Sequence, residues 1–263
     1  MDFLVAIVLG IVQGITEWLP VSSSGHLAIA QRLLGVVPPL FFDVALHAGT
    51  FFAALWFFRK EIEPIVRAAC RFDFKSKHGK LAKLIIITTI PTAIVGIAFH
   101  DFFASLFMRP DFIGVALIAT GAWLYAAHVS KPASHRYAHE ISANKAFAVG
   151  LAQGIAVAPG ISRSGATIGA AKLLGVNVVE ATRYSFLVAL PAIAGAALYE
   201  GWQIAKAPIA NDVLAASMVG GLVAAIVGFY AMGALLKWMK EGKMQLFAEY
   251  CVVAGALVLI LLA

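Results

Sequence analysis

Gln13-Gly14-Ile15-Thr16-Glu17-Trp18-Leu19-Pro20-Val21-Ser22-Ser23-Ser24-Gly25-His26 interrupts an otherwise apolar segment over residues 2–35. Proline and glycine end a helix, and serine caps the next one. The stretch therefore predicts two short helices joined by a polar turn. A second apolar segment, 144–176, is broken in the same way at Pro159-Gly160-Ile161-Ser162-Arg163-Ser164-Gly165. The two segments match at a constant offset of 140 residues: Gly10, Gln13 and Gly14 correspond to Gly150, Gln153 and Gly154, and Ser22, Ser24 and Gly25 to Ser162, Ser164 and Gly165.

The surroundings of these breaks are suited to lipid. The 263-residue chain is 61% hydrophobic and 13% charged, with a mean hydropathy of +0.89. Soluble domains carry about 25% charged residues, so too few polar groups remain here to cover a water-facing surface. The apolar runs are long and do not alternate with period two, which selects helices over a barrel. Six runs, 41–58, 81–100, 112–129, 181–199, 214–236 and 247–263, are about long enough to cross a bilayer at roughly 1.5 Å per residue. A broken helix at membrane depth must line a wet cavity or be buried in protein. The two broken segments thus read as re-entrant hairpins beside six crossings. The first apolar run lacks the basic start and the small-residue cleavage site of a signal peptide and reads as part of the fold. Cys70, expected in a loop, and Cys251, in a span, suggest neither a disulfide framework nor a metal site.

This arrangement divides the chain into a first repeat, 1–129, and a second, 144–263, each with one hairpin and three crossings. An odd number of crossings makes the second repeat enter from the opposite side, so the repeat is inverted. Weaker echoes follow the hairpins: Phe42 to Leu46 against Phe186 to Leu190, and Ile94-Val95-Gly96 against Ile226-Val227-Gly228. In inverted-repeat folds the broken helices of both halves meet near the midplane and form the site. Fourteen lysines and arginines lie in the loops 59–83, 129–145 and 237–243, which fall on one side, against Arg109 and Lys206 in the loops opposite. The basic side is expected to be cytoplasmic, with both termini outside. The net charge of +6 is then a topology signal and calls for no nucleic acid.

Ionisable side chains inside a membrane are costly and are functional candidates. Gln13 and Glu17, four apart, share a helix face. Ser22, Ser23 and Ser24 occupy the turn, and His26 starts the next helix. The second hairpin supplies Ser162, Arg163, Ser164 and Thr167. The bland alternatives are a satisfied carboxylate for Glu17, a packing residue for His26, helix-contact serines, and for Arg163 a side chain reaching for water. Together, however, these residues suit one ligand. Turns of the form Ser-x-Ser-Gly ahead of helices offer backbone N–H groups and the positive end of a helix dipole to an anion, here at Gly25, Gly160 and Gly165. Arg163 adds a planar fork suited to phosphate. Hydroxyls beside a carboxylate and an imidazole are the parts of an activated nucleophile. Gln13, Glu17 and phosphate oxygens could also share a hard divalent cation.

The two long motifs, Gln13 to His26 and Pro159 to Thr167, resemble the signatures of the bacterial undecaprenyl pyrophosphate phosphatases of the bacitracin-resistance type. The resemblance covers essentially the whole chain. It implies hydrolysis of a C55 polyprenyl diphosphate at the outer face of the bacterial plasma membrane, which regenerates the lipid carrier of cell-wall synthesis. It implies functional roles for Glu17, Ser23, His26 and Arg163, with supporting roles for Gln13, Ser162, Ser164 and Thr167. Dependence on a divalent cation, Mg²⁺ or Ca²⁺, is implied by the resemblance too, although the Gln form at Gln13 lowers the charge available to hold one. Whether Glu17 or His26 is the base, whether Ser23 attacks or only binds, and whether the chain forms a homodimer stay open. A carrier of an anionic lipid or small anion is the alternative that inverted repeats favour; a purely structural membrane protein would show neither activity.

The basic asymmetry makes a direct prediction. In a chain lacking Cys70 and Cys251, a cysteine at Ala207 should react with an impermeant thiol reagent applied outside intact cells, and one at Ser76 should not. Outside labelling at Ser76 would reverse the orientation.

Overall fold

The computed structural model describes residues 2–130, 137–204 and 210–262. Lys131, Arg136 and Lys206, counted above in the charge asymmetry, lie outside the described residues. The chain folds into helices only, among the described residues. The first broken segment forms α1 (Phe3–Trp18) and α2 (Ser23–Leu33), and three long helices follow it: α3 (Leu40–Phe57), α5 (Lys77–Ala98) and α7 (Pro110–His128). Between these lie α4 (Arg59–Cys70) and the short α6 (His100–Leu106). The second broken segment forms α8 (Ala143–Ile155) and α9 (Arg163–Leu173), followed by α10 (Val178–Ile204), α11 (Asn211–Lys240) and α12 (Met244–Leu261). The six apolar helices of crossing length are α3, α5, α7, α10, α11 and α12, as the hydropathy pattern predicts. The protein is a polytopic, all-helical membrane protein. Large apolar side chains on the outside of these helices, such as Ile86, Ile90, Ile94 and Ile97 on α5, are the surface that lipid covers.

Both broken segments stop and restart at equivalent positions. Ser22 caps α2, its hydroxyl accepting from the Gly25 amide at 3.3 Å. Ser162 caps α9, its hydroxyl accepting from the Gly165 amide at 3.0 Å. Ser22 sits at φ 70°, in the left-handed region. A non-glycine residue held there carries strain of about 1–3 kcal/mol, which the surrounding packing must offset.

Glycines let the hairpins enter the bundle. A Cβ on Gly14 would lie 2.7 Å from Val227 Cβ, and one on Gly154 would lie 2.8 Å from Val95 Cβ. On the preceding turn, Gly10 lies against the Gly220 carbonyl and Gly150 against the Thr88 carbonyl. Each hairpin's first helix thus packs on a long helix of the other half, α1 on α11 and α8 on α5. Small residues at helix contacts permit such close backbone approach, the main source of helix affinity in lipid. The faint echo of Val95-Gly96 in Val227-Gly228 therefore marks equivalent contacts. Between α7 and α12, Gly114 and Gly255 abut in the same manner.

Two local readings are corrected. The stretch 59–83 is not a plain loop: α4 and the start of α5 occupy most of it. Its helical signal is an amphipathic one, with Ile65 and Ala68 buried while basic residues face outward, too short and too charged to register as an apolar run. Cys70 consequently ends a helix, although it is exposed as expected of a loop residue.

The glycine contacts are testable. Gly150→Val would push a side chain into the Thr88 carbonyl, 2.2 Å from the position of its Cβ, and should abolish accumulation of monodisperse protein. Gly195→Ala, with nothing within 4 Å, should change stability by no more than about 0.5 kcal/mol. A normally melting Gly150→Val protein would mean that α8 does not pack on α5 in this way.

Candidate active site

The two polar turns meet. A Cβ on Gly25 would lie 3.1 Å from Gly160 Cα. Gly160 itself has φ +89° and lies so close to Ile113 and Ala116 of α7 that a side chain would clash; only glycine satisfies both demands. The Ser164 hydroxyl donates to the Leu19 carbonyl at 2.8 Å, tying the second turn to the first. Thr120 of α7 fastens the second turn from behind: its hydroxyl donates to the Gly160 carbonyl and accepts from the Ser162 amide, each at 3.2 Å.

Glu17 stands at the centre of this contact. Its side chain is only 3% exposed. One carboxylate oxygen accepts from the Arg163 guanidinium. The other accepts from the Ser23 hydroxyl at 2.6 Å and from the Gln13 amide at 2.9 Å. The Arg163 guanidinium also lies over the Trp18 ring, 5.5 Å from its centroid, and Trp18 is itself wedged edge-on against Phe186. Thr167 is drawn onto α10 by a 2.6 Å hydrogen bond with Ser185. Arg163 Nη1 and Gln13 Oε1 are buried and have no hydrogen-bond partner among the described residues. A buried guanidinium N–H without an acceptor is costly, and a phosphate oxygen is the acceptor its geometry suits.

His26 is placed differently from Ser23. Its Nδ1 lies 2.8 Å from the Ser22 carbonyl, and its Nε2 lies 2.8 Å from the Tyr250 hydroxyl, on which the ring also stacks. Nδ1 therefore carries the proton, donating to Ser22, and Nε2 accepts from Tyr250. Both ring nitrogens are engaged away from Ser23. Ser22 and Ser24 face each other at 3.4 Å, as Ser162 and Ser164 do at 3.2 Å. Ser22, Gly160 and Ser162 lie in the two turns, and Gln13 and Glu17 on the face of α1 leading into the first. Ser23 and Ser24, expected in the turn, already belong to the start of α2 with Gly25 and His26, and Arg163, Ser164, Gly165 and Thr167 to the start of α9, because Ser22 and Ser162 cap these helices one residue before.

The sequence reading missed the residues that other helices contribute: His47 on α3, Thr120 on α7, Ser185 on α10 and Tyr250 on α12. Each sits on a long, mostly apolar helix far from the turns in sequence. Asp43 and His47, four apart on α3, were a local signal on one helix face; the other three show no spacing that ties them to the turns.

The residues present do not build a cation site of their own. No cluster of three or more histidine, cysteine, aspartate and glutamate side chains is placed for a metal ion among the described residues. Both oxygens of Glu17 are engaged, which leaves Gln13 Oε1 as the uncommitted oxygen. Two surface cavities, of about 300 and 240 Å³, lie elsewhere and contain none of these residues.

Fold and site together define a membrane-embedded protein with a buried polar centre, in which a serine hydroxyl is held on a carboxylate paired with an arginine. Residues 6–257 match the family model described as bacitracin resistance protein BacA, and the chain belongs to that family. It is 39% identical to a protein named undecaprenyl-diphosphatase from Desulfatibacillum aliphaticivorans, covering 99% of each chain. It is likewise 39% identical to proteins of that name from Halothermothrix orenii and Bacteroides fragilis, covering 99% of this chain and 98% of the relative in both cases.

Proposed function

We propose that this protein hydrolyses undecaprenyl diphosphate to undecaprenyl phosphate and inorganic phosphate, recycling the lipid carrier of cell-wall synthesis and conferring resistance to bacitracin. The observation that carries the chemistry is the Ser23–Glu17–Arg163 chain, which ends in an unpartnered guanidinium N–H. The names of the full-length relatives support the substrate.

In the resting site, Glu17 is neutralised by Arg163. A diphosphate entering between the turns offers Arg163 a better acceptor set, with the N-termini of α2 and α9 adding their positive ends. Transfer of Arg163 to phosphate leaves a full negative charge on Glu17, hydrogen-bonded to the Ser23 proton. Ser23 Oγ then attacks the terminal phosphorus. The Oγ–P bond forms, the bond to the bridging oxygen breaks, undecaprenyl phosphate leaves, and Glu17 takes the hydroxyl proton. Water then attacks the phosphorus of the phosphoserine; the Oγ–P bond breaks, inorganic phosphate leaves with the oxygen from water, and Ser23 Oγ regains its proton from Glu17. The contacts of His26 favour Glu17 as the base; His26 and Tyr250 frame the turn. A divalent ion would find Gln13 Oε1 as its uncommitted protein oxygen and would supply charge neutralisation to the diphosphate.

The remaining elements of this reading are topological. The two halves, 1–129 and 144–263, form an inverted repeat, supported by equivalent caps and equivalent glycine contacts. The site opens to the outer face of the plasma membrane, supported by the charge asymmetry, and the prenyl tail stays in lipid.

Ser23→Ala in detergent-purified protein should lose nearly all phosphate release from undecaprenyl diphosphate while substrate affinity stays within about tenfold, because a nucleophile contributes mainly to the chemical step. Ser24→Ala should be milder. A fully active Ser23→Ala protein would remove serine attack and leave direct attack by water.

A further inference from the structure

Gln13 extends its amide in two directions. One N–H reaches Glu17 at 2.9 Å, and the other reaches Nδ1 of His47 on α3, also at 2.9 Å. His47 Nδ1 lies 3.5 Å from the Glu17 oxygen that accepts the Ser23 hydroxyl. An amide nitrogen only donates, so Nδ1 is an acceptor and the proton of the neutral ring sits on Nε2. His47 is thus aligned to receive a proton where Glu17 holds one. Its side chain is 34% exposed against 3% for Glu17. Asp43 stands one helical turn before His47 on α3 and accepts from Gln31 at 2.8 Å, and Glu200 of α10 is a further charged neighbour of both. Beyond Glu17 stands Arg163. The neighbouring α11 has no charged residue between Asp212 and Lys237.

We propose that His47 is a positioning residue for Glu17 and the route by which its proton leaves for water. The inference rests on the reading of Ser23 and Glu17 given above. In the step concerned, the proton taken from Ser23 passes from the Glu17 carboxyl to His47 Nδ1, and the imidazolium releases its Nε2 proton to water on the exposed side of the ring. No bond other than O–H and N–H changes. Glu17 is returned as a carboxylate, ready to take a proton from the water that attacks the phosphoserine. The buried carboxylate has no exposed surface of its own for this exchange. Gln13 Oε1, buried without a partner, can accept from the charged ring after a turn of the amide.

The test separates relay from scaffold. His47→Gln keeps a hydrogen-bond acceptor for Gln13 but cannot pass a proton. It should lower kcat by about tenfold to a hundredfold, at the lower end of general acid–base contributions, with KM little changed and the folded protein melting normally. His47→Ala should be similarly slow and should regain part of its kcat when imidazole is added, since the site is open enough to admit it. Wild-type kcat in His47→Gln, or a slow His47→Ala enzyme that imidazole leaves unchanged, would overturn the relay. Ser23→Ala is the control for the underlying reading. If Ser23→Ala is inactive while His47→Gln is normal, the relay alone fails. If Ser23→Ala turns over normally, the serine chemistry fails with it.

Discussion

The ion pair between Glu17 and Arg163, 146 positions apart in sequence, joins the two broken segments. Neither partner is tolerable alone at this depth. An arginine in the middle of a bilayer costs at least about 2.5 kcal/mol on insertion scales, and removing one member of a buried pair typically costs about 3–5 kcal/mol. The pair is therefore both a clasp and a restraint on chemistry. It holds a carboxylate and a guanidinium together without substrate; in the proposed mechanism a phosphate group, by taking over the guanidinium, releases the carboxylate beside a serine. Binding and activation become one event.

That clasp depends on backbones approaching more closely than side chains permit. Gly25 against Gly160 brings the turns into contact, while Gly10, Gly14, Gly150 and Gly154 seat the hairpins on the long helices. In lipid there is no hydrophobic gain from bringing apolar helices together, so close packing and buried hydrogen bonds must supply the affinity. The hydroxyls of Thr120, Ser164 and Ser185 supply the latter, tying the second turn to α7, to the first turn and to α10. Strain at Ser22 is held within this frame. The outcome is a closely packed site made from segments that, as isolated broken helices, could not persist in a bilayer.

Much of this was legible in the sequence because lipid makes the rules severe. A helix break inside an apolar segment has few permitted uses, so Pro20 to Gly25 and Pro159 to Gly165 declared themselves, and their repetition declared that they belong together. That serine would cap the second helix of each segment followed from residue type; that Ser22 and Ser162 are the ones that do so, with Ser23 and Arg163 opening the helices, did not. What escaped notice lacked a local pattern. His47, Thr120 and Tyr250 lie on long, mostly apolar helices far from the turns in sequence, and their meaning exists only once α3, α7 and α12 are placed around the turns. The roles of Glu17 and His26 could not be told apart from spacing, since both lie near Ser23 in sequence; the hydrogen bond from Ser23 goes to Glu17, and His26 turns toward Tyr250. Helix α4 was concealed by its charge, because a search for apolar runs passes over an amphipathic helix.

The central claim is that the two turns form one anion-binding site, and chemical crosslinking with substrate competition measures it most directly. With Cys70 and Cys251 replaced, Ser23→Cys and Arg163→Cys introduced together should be bridged by a short bifunctional thiol reagent in membranes, and undecaprenyl diphosphate should slow the bridging. Failure to bridge in a folded and correctly inserted protein, or bridging at a rate that substrate leaves unchanged, would contradict a shared site.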